Sequence, residues 1–164
     1  MNHKDPSAPA QIFIEKLGKL DAGDKAKLKR SAGNRIAESR QVMGLFYRLL
    51  PEGIPAYLHE TFFLVATLFP MIEGTETGSF ASAMNKARKK DNQKGLDKRF
   101  EILLDADSEQ IAFRLRQAIH YLASQNGRMH WETLLDDLSH WDHPERYIQQ
   151  KWAREYFGNQ KKED

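Results

Sequence analysis

Arg114 and Arg116 are the residues whose placement most clearly invites chemistry. They sit in DSEQIAFRLRQAIHYLAS, residues 107–124, where Ile111, Leu115, Ala118, Ile119 and Leu122 follow the spacing of one apolar helix face. At about 100° per residue the two arginines leave that stripe on opposite flanks. A guanidinium carried by a core-anchored helix presents a fixed fork of donors, suited to phosphate oxygens. Further cations cluster elsewhere. In DKAKLKRSAG, Lys25, Lys27, Lys29 and Arg30 surround one large apolar residue, Leu28, and only Asp24 offers a nearby acidic partner. A solvated surface helix is one reading of that segment; a phosphate-binding surface is the one we carry forward. Arg35 and Arg40 follow. Lys86, Arg88, Lys89, Lys90, Lys94, Lys98 and Arg99 form a second run, broken by DNQKG, which predicts a mobile basic loop. Arg146, Lys151 and Arg154 lie near the C-terminus. No Lys or Arg occurs between Arg48 and Lys86, so positive charge is segregated along the chain.

Catalytic constellations are not evident. Ser79, Ser82 and Ser108 lack a nucleophile-elbow context, and no Gly-rich phosphate loop follows a strand. Asp136 and Asp137 are neighbours and diverge on a helix, so they do not converge on one proton. His140 and His143, with Asp136 at i,i+4 from His140, could approach a metal, but neither a metal nor another cofactor is expected. His59 and His120 are isolated. Without cysteine there is no disulfide, thiol catalysis or Cys-based zinc site, which fits a reducing cytosol.

The elements that must carry these residues are helical. Leu, Ala, Lys, Arg, Glu and Gln dominate, strand signals are scarce, and 40% hydrophobic residues suffice for a core. We expect an all-α bundle of eight or nine helices, either single or divided into two sub-bundles. Asp21 reads as an N-cap and Gly33 as a helix stop. The segment from Ala56 to Phe69 is apolar on most sides and predicts the central buried helix, ended at Pro70; a loop follows over 71–79. Asp107 with Gln110, and Asp142 with Glu145, have capping-box spacing. The second box places Arg146 and Arg154 two turns apart on the last helix. Residues 1–9 read as a disordered lead, 10–158 as the helical domain and 159–164 as a polar tail. The first residues contain no apolar signal region, and TFFLVATLFPMI is too short to span a bilayer, predicting a cytoplasmic protein without membrane contact. Formal charge is only +2, although the pI is near 8.8. Uneven placement, rather than total charge, points to nucleic acid.

KRFEILLDADSEQIAFRLRQAIHYLAS, then HWETLLDDLSHWDHPERYIQQKWAREYF, resembles the CasB family, the small subunit of the type I-E CRISPR complex called Cascade. KLKRSAG followed by GLFYRLLP resembles that family's N-terminal region. The resemblance implies a non-catalytic, all-helical subunit of an antiviral ribonucleoprotein, present as two copies beside the backbone and large subunits. It implies binding of crRNA and target DNA through basic surfaces, with base pairing supplying sequence choice and protein contacts stabilising the R-loop. The candidate contacts are Lys27, Lys29, Arg30, Arg35, Lys89, Lys90, Arg99, Arg114, Arg116, Arg146, Lys151 and Arg154. Arg99 could equally be a structural ion-pair partner. A helical scaffold that touches only protein is the alternative.

Overall fold

A computed structural model describes residues 6–158. The chain opens in α1 (Ala8–Gly18), capped by the Ser7 hydroxyl oxygen, which accepts from the Ala10 N–H at 3.2 Å. Ser7 also donates its N–H and its hydroxyl to the Asp136 carboxylate, at 2.7 and 2.8 Å. The helix therefore begins inside the expected lead, whose first five residues lie outside the described ones, as does the 159–164 tail. Asp21 caps α2 (Ala22–Arg30) by accepting from Asp24 N–H at 2.7 Å. Of that helix only Leu28 is buried. A single 3-10 turn (Ile36–Glu38) leads to α3 (Arg40–Leu49), and another (Ala56–Leu58) to α4 (His59–Leu68).

Every residue from Phe62 to Leu68 is buried, because α4 is covered on all sides, by α2, α7 (Ile111–Ser124) and α8 (Trp131–Ser139) among others. The 71–79 stretch is a loop whose Thr75 N–H donates to Met129 O while Met129 N–H donates to Glu73 O. It is thereby clipped to the approach to α8. α5 (Phe80–Lys86) starts with Ser79 and Ser82 capping each other and packs along α9 (Tyr147–Phe157). α6 (Gln93–Leu104) joins α7 to α9. The result is all-α, with nine α-helices among the described residues. No helix among them is long and apolar enough to cross a membrane. One continuous core runs through both halves, including a T-shaped Phe13–Phe46–Phe63 array and a stacked Phe100–Tyr156 pair, so the two expected sub-bundles share an interior.

Three local expectations need correction. The Asp107–Gln110 box exists, with Asp107 Oδ1 accepting from Gln110 N–H at 2.9 Å and Gln110 Oε1 accepting from Asp107 N–H at 3.3 Å. It shapes the preceding turn, however, and α7 starts at Ile111. The Asp142–Glu145 box does not form. Trp141 is buried and donates its indole N–H to Ala106 O at 2.8 Å, and Trp141 O accepts from the Gln149 side chain, fixing a different path. Arg146 consequently takes the left-handed conformation (φ 52°) ahead of α9 instead of lying on it. The DNQKG break is a closed turn: Asn92 accepts from Lys89 N–H at 2.7 Å and donates to Ala87 O and to the Tyr121 hydroxyl.

A polar hub secures the α5–α6–α9 corner. Asp97 accepts two guanidinium bonds from Arg88, at 2.8 and 3.0 Å, and a third from Tyr156 OH at 2.7 Å. The Arg88 side chain is 22% exposed and that of Asp97 25%, so water screens the pair only in part. Arg88 holds the Asp97 carboxyl below its ordinary value, while burial, with Asp97 beside it, raises the Tyr156 phenol.

Two measurements follow from this packing. Leu28→Ala empties a fully buried site and should cost about 2–5 kcal/mol in denaturant unfolding. Asp97→Asn should cost about 1.5–3 kcal/mol at pH 7 by weakening a charge-assisted network. Because the folded Asp97 pKa is lowered, its contribution is present above the unfolded carboxylate value, about 3.9, and is lost as pH falls below it. The stability gap between wild type and Asp97→Asn should therefore shrink on acidification through that range.

Candidate nucleic-acid interface

The basic residues divide by what their side chains already hold. Lys27, Lys29 and Arg30 project from α2 into solvent, and none is in an ion pair among the described residues. The turn after α2 crosses α4 and reaches α7. Gly33, at φ +81°, donates its N–H to Thr67 Oγ1 at 3.4 Å, and a Cβ built on it would stand 3.0 Å from Arg116 Cδ. A side chain here would be strained by backbone conformation and crowded by the arginine stem. Glycine thus lets the turn that ends α2 pack directly against the Arg116 stem. Arg35, exposed in the following segment, extends the same margin.

On the other side of α7 lies a groove of about 480 Å³ between α6 and α7. Arg99, Arg114, Arg116 and His120 border it; Leu96, Phe100, Leu103 and Ala118 are among its apolar walls. No aspartate or glutamate lines it. Arg114 and Arg116, expected on opposite flanks, both reach this groove. Arg99 is not an ion-pair partner among the described residues. Its guanidinium lies over the Tyr121 ring, 5.7 Å from the centroid, and Tyr121 OH accepts from Asn92 at 2.6 Å. The turn bearing exposed Lys89 and Lys90 is thereby tied to the groove's edge. Neither His120, isolated among the histidines, nor Tyr121 was expected at this site. Their i,i+4 and i,i+7 offsets from Arg116 and Arg114 carry the signal that joins them.

The C-terminal cations behave differently. Lys151 Nζ lies 2.7 Å from Asp137 Oδ1, and Trp152 Nε1 donates to Asp137 Oδ2 at 2.8 Å. Burial pushes the Asp137 carboxyl up, and Lys151 opposes that push, so this lysine is engaged inside the fold and is withdrawn from the phosphate-contact set. Arg146 donates to Leu104 O at 2.5 Å in a cleft that also holds Glu101, Asp105 and Glu145, an environment that repels phosphate. Arg154 is exposed on α9, outside the residues that line the α6–α7 groove. Around His140, the ring Nδ1 is hydrogen-bonded with Asp136 O at 2.9 Å, while the Asp136 carboxylate is taken by Ser7. His143 Nδ1 accepts from Glu145 N–H at 3.1 Å. No group of three or more metal-type side chains converges among the described residues.

This arrangement can hold a polyanion along α2 and α7 and admit a flat apolar group between α6 and α7. The family model for CRISPR-associated protein Cse2 matches residues 24–157. A CRISPR-associated protein Cse2 of Thermus thermophilus is 41% identical over 159 residues, spanning 92% of this chain and 91% of its own. The crystal structure of CasB from Thermus thermophilus superposes with a TM-score of 0.81 at 32% identity, covering 93% of this chain and all of that one. M. ruber CasB gives 0.77 at 29%, with 93% and 94% covered. A chain of a CRISPR RNA-guided surveillance complex shares the fold at 17% identity, with a TM-score of 0.76 over 90% and 91%. Sequence and architecture agree, and the chain belongs to the Cse2, or CasB, family of CRISPR-associated proteins.

Proposed function

We propose that this protein is the non-catalytic small subunit of a type I-E Cascade surveillance complex, binding guide RNA and target DNA through their backbones and stabilising the R-loop. The carrying observation is the junction at Gly33. There the turn that follows Lys27, Lys29 and Arg30 of α2 packs on the stem of Arg116 in α7, the helix that also carries Arg114, and none of these cations is in an ion pair among the described residues. Arg35 continues that margin, Arg99 lines the groove, and Lys89 and Lys90 lie on the turn that Asn92 ties to Tyr121. Arg154 stands apart on α9, as a separate contact.

Such a surface reads charge and shape rather than base sequence. Strand exchange between a DNA duplex and an RNA–DNA hybrid is nearly balanced, so a modest number of phosphate contacts tips it toward the opened target. Family membership supports assembly with other Cascade subunits, and two copies per complex is part of the proposal. A protein-only scaffold is the competing reading. It draws on Tyr47, Tyr57 and Tyr147, large side chains left exposed.

Charge reversal separates the two. In the assembled complex, Lys27→Glu with Arg30→Glu, or Arg114→Glu with Arg116→Glu, should weaken target DNA binding while the helical circular dichroism of the subunit is retained. Loss of two phosphate contacts should also flatten the log K against log[salt] slope by about 1.4–1.8. Unchanged affinity and slope for both double variants, with the complex intact, would favour the scaffold.

A further inference from the structure

The α6–α7 groove has more shape than backbone binding needs. A phosphate track requires cations on a surface; this one has an apolar interior as well. Leu96, Phe100, Leu103 and Ala118 are among its lining residues, together with Tyr121, whose ring has the Arg99 guanidinium over it, and Arg99, Arg114 and Arg116 supply the charge. Its volume of about 480 Å³ lies in the range of clefts that enclose small flat ligands, roughly 300–1,000 Å³. The occupant must be partly apolar, to replace water on those walls, and anionic at its edge, since the rim is cationic and no carboxylate lines the groove. Continuity matters too. Arg116 belongs both to this rim and to the Gly33 junction, so a chain of phosphates lying along α2 arrives at the groove mouth.

We propose that this groove receives an unpaired nucleobase of a single-stranded nucleic acid, with the phosphates flanking that nucleotide on Arg114 and Arg116. The inference rests on the backbone-binding reading and deepens it. A base in a duplex keeps both faces stacked and its edge paired, so only an opened strand can supply one. The groove thereby distinguishes unpaired from paired strand without reading sequence. An acidic protein segment is the rival occupant, but it would not use the apolar walls along its charged length.

The test uses the full chain at low salt and fluorescein-labelled 20-nucleotide single strands, one of oligo-dT and one abasic with the same phosphates. The normal strand should bind at least fivefold more tightly than the abasic one. Ala118→Leu fills the floor without altering charge; it should bring the normal strand down to the abasic affinity and leave the abasic strand unchanged. Equal affinity of the two strands for wild type would overturn the nucleobase site while leaving backbone binding standing. No binding of either strand would overturn both. Poly-glutamate of matched charge competing as well as the oligonucleotide would reassign the groove to acidic protein and overturn the proposal as well.

Discussion

A helix that carries several cations is held to the core of this protein by one leucine. Leu28 is fully buried, its neighbours on α2 are exposed, and the charges around it repel one another. Burying that side chain contributes about 1.5–3 kcal/mol, enough to position the helix but little more. The Asp21 cap and the Gly33 turn supply the remaining constraint, one at each end. The basic surface exists because these few contacts hold a like-charged segment against α4 and α7.

The acidic residues explain how a nearly neutral chain keeps an uncompensated positive face. Asp97 and Asp137 are engaged in internal networks with Arg88, Tyr156, Lys151 and Trp152. Asp21 and Glu38 accept from backbone N–H groups at turns, and Glu60 accepts from Ile36 N–H at 3.1 Å. A carboxylate held by such bonds is not free to swing toward a surface lysine. Formal charge near zero and a groove lined by cations without a carboxylate are therefore compatible: these carboxylates serve the fold, and others, such as Glu101, Asp105 and Glu145, line a different cleft. The lysine and arginine runs alone do not reveal this partition.

Arg116 connects the two functional features. Its stem packs on a glycine turn, which fixes where the guanidinium emerges, and its head borders the α6–α7 groove. A flexible lysine at this point would lose more rotamer freedom for each contact made. Tyr121, one turn further along the same helix, is tied by its hydroxyl to the α5–α6 turn and has the Arg99 guanidinium over its ring. The groove is thus shaped by interactions among its own rim residues.

The one-dimensional pattern determined the all-α class, the buried character of α4, the Asp21 cap, the pairing of Asp107 with Gln110 and the identity of the unpaired cations on α2. Each of these follows from local spacing, because helix periodicity and capping act over a few residues. Long-range contacts decided the rest. Lys151 is engaged because Asp137 lies on another helix; Arg146 leaves α9 because Trp141 must reach Ala106; and the DNQKG turn is tied to α7 because Tyr121 stands near enough to accept from Asn92. The same holds for the encounter of Arg116 with Gly33. A side chain's type states what it can bind, but whether it is available depends on the neighbour that folding brings to it, and that neighbour is distant in sequence.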